Sequence, residues 1–425
     1  DVADDFMHKL RNRLKDECAI AADNIIVNAS HTHPPGNMLC SDSEQLERIL
    51  AAVKKAISQL SPAKIGYASG IEKRIAMNRT LRLKDGSHWS IRHSIPSPPP
   101  EQVAGAGPLD RSLGILRIDH LDGSPLALVF NFACHLLFAN YDAALGANFP
   151  GYAAKIIEEK LGNNAPAMFL QGAAGDVCDV GFKKFNKIRD IKILGEYLAE
   201  TSLNIYEKIE TKAVKLKAVR KKMCLPRRKD IPELLEQLEK QQKELLESLR
   251  FTTLNFELFL PLYLQSKEEK IDFADAAEEA SYKKMREFNQ TLVDKYLQSL
   301  RSMEALSKNI DDIETLKKHA LINENAGGKD IETEVTALQI GECLIVALPF
   351  EALTQIGLNV KNASPFEHTF VAAFSNGYMH YGAPEEDYNK GGYEVTECLL
   401  DKKWEKIFEK NIKEIFGEVC GFAEL

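Results

Sequence analysis

The stretch Ser30-His31-Thr32-His33-Pro34-Pro35-Gly36 puts two imidazoles two residues apart, directly after the apolar run Ile25-Ile26-Val27. In an extended segment, side chains at i and i+2 point to the same side. Neutral imidazole is the commonest protein ligand for zinc. A strand ending in His-x-His therefore reads as one edge of a metal site; the plainer reading is two histidines that hydrogen-bond loop backbone. Three more places share this local form, a short apolar run with an ionisable group at its end: His135 after 129–134, Glu351 after 345–348, and Tyr381 after 369–373. Two histidines, a carboxylate and an open position make a usual catalytic zinc set, and a phenol oxygen can complete it. Taken singly, each has a structural alternative. His135 can be a hydrogen-bonded core histidine, and Glu351 can cap a helix starting at Ala352. Tyr378, Tyr381, Tyr388 and Tyr393 can be packing aromatics.

The elements that must position these groups alternate along the chain. Helical spacing over 4–17 places Phe6, Leu10 and Leu14 on one face. A strand at 25–29 and a β segment at 65–67 follow. The Pro/Gly-rich stretch 96–107 reads as an exposed loop. Strands at 114–118 and 126–133 are joined by Asp122-Gly123, a favoured tight-turn dipeptide. A helix is expected from Pro150 to Leu161, since Pro suits the first helical turn. Strand 167–170 then runs into the turn 171–176, and a helix fills 190–209. Beyond 327 come strands at 334–340, 343–347 and 369–373 and a closing helix at 401–416. This is α/β organisation, with mixed sheets and flanking helices.

Between Gly195 and Gly327 there is no glycine, and 230–322 is rich in Glu, Lys, Leu and Gln. Asp230-Ile231-Pro232-Glu233 has the form of a capping box. Ile231, Leu234, Leu235, Leu238, Leu245, Leu246 and Leu249 keep helical spacing, and a second helical stretch covers 274–307. The region 226–327 is therefore read as a long helical hairpin inserted into one catalytic domain built from 1–225 and 328–425. It is a solvated amphipathic arm, a cover for the site, or a homo-oligomerisation element.

Composition narrows the function classes. The 425 residues are 44% apolar, enough for a sizeable core, and the net charge of -8 is spread over mixed signs. A nucleic-acid partner would need a basic face, and none is evident. No apolar run approaches the roughly 18 residues that span a bilayer. The eight cysteines are scattered without a CxxC pair; this is not a zinc-ribbon pattern, and it implies no particular disulfide pairing. The sequons at Asn28 and Asn78 abut the candidate site and are read as chance matches. The chain opens on Asp1 and enters helical spacing at once; the expectation is that the natural N-terminus, with any targeting segment, lies upstream.

Six stretches occur in order: 29–33 (Ala-Ser-His-Thr-His), 131–135 (Asn-Phe-Ala-Cys-His), 149–152 (Phe-Pro-Gly-Tyr), 171–177 (Gln-Gly-Ala-Ala-Gly-Asp-Val), 348–351 (Leu-Pro-Phe-Glu) and 376–381 (Asn-Gly-Tyr-Met-His-Tyr). Together they resemble the catalytic domain of the neutral/alkaline, non-lysosomal ceramidase family, over nearly the whole chain. The resemblance implies zinc held by His31, His135, Glu351 and Tyr381. It places His33 beside the metal, with Arg79 of Asn78-Arg79 and Tyr393 of Tyr393-Glu394. It implies hydrolysis of an N-acyl amide by metal-activated water. In that scheme His33 takes and returns the proton, and Arg79 and Tyr393 stabilise the oxyanion. It also implies a lipid-like substrate such as ceramide and a secreted or periplasmic location. The chain departs from the family pattern at Pro34-Pro35-Gly36, where Ser-Gly-Pro is common, and at Cys178, where Ser is common. Cys178 is read as structural, because a zinc mechanism needs no side-chain nucleophile. The family's C-terminal immunoglobulin-like β domain is not among these 425 residues. Alternatives are a metal-dependent esterase or phosphoester hydrolase, a non-catalytic relative that binds a partner through the helical arm, and a Cys178 nucleophile.

Overall fold

The computed structural model describes residues 2–33, 41–91, 98, 100–137, 146–179, 190–249, 255–268 and 271–421. The chain forms two units, Asp1–Arg228 with Gly328–Leu425, and Lys229–Gly327. The first contains, in order, α1 (Asp4–Cys18), α2 (Asp42–Ser58), β1 (Ala63–Ile71), β2 (Met77–Asn78), β3 (Thr80–Leu83), β4 (His88–Ser90), β5 (Val103–Ala106), β6 (Ser112–His120), β7 (Pro125–Phe132), α3 (Asn148–Leu161), β8 (Ala167–Gln171), β9 (Val177–Cys178), α4 (Ile191–Tyr206) and β10 (Leu216–Leu225). The second holds α5 (Ile231–Ser248), α6 (Phe256–Glu268) and α7 (Ala276–Asn325). The first then resumes with β11 (Ile331–Ile340), β12 (Cys343–Ala347), β13 (Glu351–Ala352), α8 (Thr354–Ala363), β14 (His368–Ala372), β15 (Tyr381–Gly382), α9 (Tyr393–Thr396) and α10 (Trp404–Cys420).

Two four-stranded mixed sheets, ordered β1-β6-β7-β8 and β10-β11-β12-β14, form the centre of the first unit. The inner strands β7 and β12 read as largely apolar runs because both faces are covered. On β6, Leu113 and Ile115 face the α3/α4 layer, whereas Leu116 faces the other sheet. On β12, Leu344 and Val346 face the α8/α10 layer, whereas Cys343 and Ile345 face inward. The result is four layers, helix, sheet, sheet, helix. Gly114 lets the sheets close: a Cβ there would meet the Phe370 ring at 2.4 Å. Asn131 links the two sheets, its Nδ2 donating to the carbonyls of Leu170 and Val371 at 3.0 and 2.9 Å.

In the second unit α5 runs antiparallel to α7. Ser248 Oγ donates to Ser302 Oγ at 2.7 Å, and Asn309 Nδ2 donates to the Leu238 carbonyl at 2.9 Å. The third helix, α6, joins α7 through a Tyr263–Gln290 hydrogen bond.

Several expectations need correction. Residues 25–29 form no regular strand, only an isolated bridge between Asn28 and Ser375. The partner segment turns left-handed at Phe374 and Asn376 (φ 55° and 63°), so a ladder cannot continue. Within 96–107, residues 103–106 are not loop but strand β5, the edge of a three-stranded sheet β4-β3-β5; positions 96, 97 and 99 lie outside the described residues. The second long helix runs on from 307 to Asn325, and its buried face there includes Asn309, Asp312 and His319 beside Ile313 and Leu316. Those polar residues blur the apolar period on which the reading relied. Asp230 does not close a capping hydrogen bond, and Pro232 removes one of the N–H donors such a cap would use. The helix expected at Pro150 starts at Asn148.

Candidate metal centre

β7 pairs with β8, and β12 with β14, in parallel. His135, the 172–176 turn, Glu351 and the 374–381 segment all follow the C-terminal ends of these strands, where α/β folds gather reactive groups. Two side-chain amides, the buried Gln171 and the half-buried Asn28, hold the ends in place. Gln171 Nε2 donates to the carbonyls of Ser30 and Cys134 at 3.2 and 2.8 Å, tying together the residues that precede His31 and His135. Asn28 Oδ1 accepts from Gln171 N at 2.8 Å, and its Nδ2 donates to Ser375 Oγ at 2.9 Å. The turn must also pass close under Glu351. A Cβ at Gly175 would lie 2.9 Å from the Glu351 carbonyl oxygen.

The imidazoles of His31, His33 and His135 offer ligand atoms that all lie within 4.8 Å of one another. His31 and His33 approach Nε2 to Nε2 at 3.2 Å. Simple alternation along a strand does not bring this about, because His31 has φ 55°. The chain kinks there, and the His31 ring stacks on Phe374 at 4.1 Å. Glu351 Oε2 stands 3.2 Å from His135 Nε2 and 3.4 Å from His31 Nε2. Both Glu351 Oε2 and His135 Nε2 are buried without a hydrogen-bond partner. Leaving such atoms unpaired costs about 1–3 kcal/mol each, unless something else satisfies them. His135 Nδ1 lies 2.5 Å from the Ala174 carbonyl, so Nδ1 is the donor and Nε2 presents its lone pair.

Electrostatics suit a cation. Burial pushes His31 down to about 4 and His135 down to about 4. For His33, burial of the ring and then the two neighbouring imidazoles push it down to about 3. All three are therefore neutral bases near pH 7. Burial works to raise the Glu351 carboxyl, but the His135 and His31 rings, which carry charge in the acid range where this carboxyl titrates, and the Tyr378 hydroxyl outweigh it and hold the group well below the usual carboxylate range. Three neutral nitrogens and a carboxylate oxygen, two of the donors orphaned, fit a metal ion.

Glu351 lies on β13, opposite Tyr381 on β15 in parallel register. It does not cap a helix; Asp176 does that work, accepting from Thr354 N and Oγ1 at 2.7 Å each. Arg79 Nη2 donates to Tyr381 Oη at 3.1 Å and to the Gly175 carbonyl at 2.8 Å, while Nε donates to Glu394 at 2.7 Å. The Tyr393 ring meets the Tyr381 ring edge-on at 5.6 Å, with the Arg79 guanidinium 5.6 Å from its centroid. The structure thus brings His31, His33, His135 and Glu351 together, and it joins Tyr381, Arg79 and Tyr393 to one another, with Tyr381 paired to Glu351 through backbone. Cys178 is buried in β9, bridged through backbone to His135. Asn78 of the second sequon is buried and donates to Asp176 at 2.7 Å.

Sequence reasoning missed the supporting groups. Tyr378 donates to Glu351 Oε1 at 2.6 Å; it was visible only as one tyrosine of a series. Glu394, buried and paired with Arg79, had only its place beside Tyr393 as a signal. Gln171 carried none beyond its place in the turn.

No family model matches the sequence, and no curated protein does. Among solved structures, neutral ceramidase from Pseudomonas aeruginosa has a TM-score of 0.62 at 15% identity, over 100% of this chain and 66% of that one. A ceramidase complexed with C2 has a TM-score of 0.63 at 14% identity, over 99% of this chain and 66% of that one. The first unit and the inserted helices thus belong to a neutral-ceramidase-like α/β fold, and this chain spans about two-thirds of the length of those neighbours.

Proposed function

We propose that this chain is a zinc-dependent hydrolase that cleaves an N-acyl amide bond, in ceramide or a related amphiphile. One observation carries the reading: on a neutral-ceramidase-like fold, Glu351 Oε2 and His135 Nε2 face each other at 3.2 Å, buried and without hydrogen bonds, among neutral imidazoles. His31, His135, Glu351 and Tyr381 would hold the ion. When bound, zinc supplies a Lewis acid and lowers the pKa of water towards roughly 7. His33, the most accessible of the three histidines, accepts a proton from the attacking water. The C–O bond forms, the C–N bond breaks, and His33 returns the proton to the departing amine. Arg79 keeps positive charge beside the Tyr381 hydroxyl, and together with Tyr393 it stabilises the oxyanion.

The test is metal content of the purified chain by mass spectrometry, beside His135→Ala, followed by hydrolysis of N-acyl amides, matched esters and phosphoesters. About one zinc per chain, lost in the variant, with amides turned over in preference, is the expected result. Absence of zinc in the parent chain after reconstitution would overturn the mechanism.

A further inference from the structure

The two carboxylate oxygens of Glu351 have different surroundings. Oε1 accepts from the Tyr378 hydroxyl at 2.6 Å, whereas Oε2 is the orphan that faces His135 and His31. The Tyr378 hydroxyl is fixed there by backbone. Met379 N donates to the Pro349 carbonyl at 3.1 Å, and Glu351 N donates to the His380 carbonyl at 2.9 Å. The segments that carry the phenol and the carboxylate are therefore laced together on both sides of the contact. The Tyr378 ring also lies 5.3 Å from that of His380.

We propose that Tyr378 is a positioning residue that makes Glu351 a one-oxygen ligand and thereby biases the site towards zinc over larger divalent ions. The inference rests on the metal-site reading above. A carboxylate with one oxygen occupied by a strong donor offers a single lone-pair set to an ion. That suits a four-coordinate ion with nitrogen-rich ligands. Ions that prefer higher coordination and more oxygen, such as Mn²⁺, gain from a carboxylate that can bind through both oxygens. Without the phenol hydroxyl, Oε1 becomes a second buried acceptor in need of a partner, and turning both oxygens to the ion satisfies it.

The experiment uses the full chain, stripped of metal and titrated with Zn²⁺ and with Mn²⁺ against a chromophoric chelator, for the parent and Tyr378→Phe. In the variant, zinc affinity is expected to fall about 10- to 100-fold while Mn²⁺ affinity falls less or rises, so that the zinc preference shrinks. X-ray absorption of the zinc-loaded variant should show an added oxygen ligand. Adding Tyr378→Phe to Glu351→Gln should change zinc affinity no further, because Tyr378 acts through that carboxylate. Unchanged zinc affinity in the single variant, or equal loss of both ions, overturns the proposal. A parent chain that binds neither ion overturns the site reading and this inference together, which separates the two failures.

Discussion

At the scale of single residues, Arg79 and Glu394 form a buried ion pair behind Tyr381. Both side chains are buried, 4% and 3% exposed, and pair at 2.7 Å. Removing one charge leaves the other buried and uncompensated, a cost of about 3–5 kcal/mol. Glu394→Gln should therefore lower stability by that order in urea denaturation and reduce turnover while metal content is kept. Tyr393→Phe should lower turnover with zinc retained; full turnover in that variant would remove Tyr393 from the mechanism. The histidines give a pH dependence to the metal-free chain. Unfolded, they take up protons near pH 6.5; folded, His31 and His135 resist protonation down to about 4. The unfolded state thus binds more protons in that window, so stability is fully present above about pH 6.5 and is lost as pH falls to about 4. The Tm of the metal-free chain should decline through this range, and His135→Ala should flatten the decline. In the sequence the donor residues were legible by type and by their place after apolar runs. Tyr378 and Glu394 were not, because a hydrogen bond made over a wide sequence separation leaves no local pattern.

At the scale of elements, strand ends and close approaches decide the geometry. Asp176 caps α8 and also anchors Asn78. Asp176→Ala should destabilise the chain by about 2 kcal/mol or more, from a lost cap and an unpaired buried amide. Gly114→Ala should cost about 1–3 kcal/mol by overpacking, since the added Cβ meets the fully enclosed Phe370 ring; a shift in the urea midpoint measures it. The strands on either side of the site were readable because burial on both faces makes them largely apolar. The 25–29 segment was not, because its apolar run packs against α1 and α2 through Ile25 and Val27 instead of joining a ladder. The convergence of His31 and His33 was anticipated from strand alternation, yet the structure reaches it through a left-handed His31.

At the scale of the whole molecule, the inserted helices lie between two neighbouring strands. Leu225 on β10 pairs with Ile331 on β11, so the insertion replaces what would otherwise be a hairpin turn. All seven candidate site residues belong to the first unit. We propose that this unit is the catalytic domain. Replacing 229–327 by a short flexible turn should then leave zinc content unchanged, as mass spectrometry can establish; loss of the ion would show that the site needs the helices.

By itself the sequence determined the residue types available for chemistry, the α/β alternation and the inserted helical region, because those follow from local composition and period. Tertiary structure alone decided which groups meet. Arg79 finds Glu394 315 residues away, and Glu351 finds His31 and His135 only because two sheets pack face to face and end their parallel strands on the same side. Which carboxylate oxygen is left free, and which tyrosine holds the other, depends on distances of a few tenths of an ångström between distant segments. No pattern within one segment encodes them.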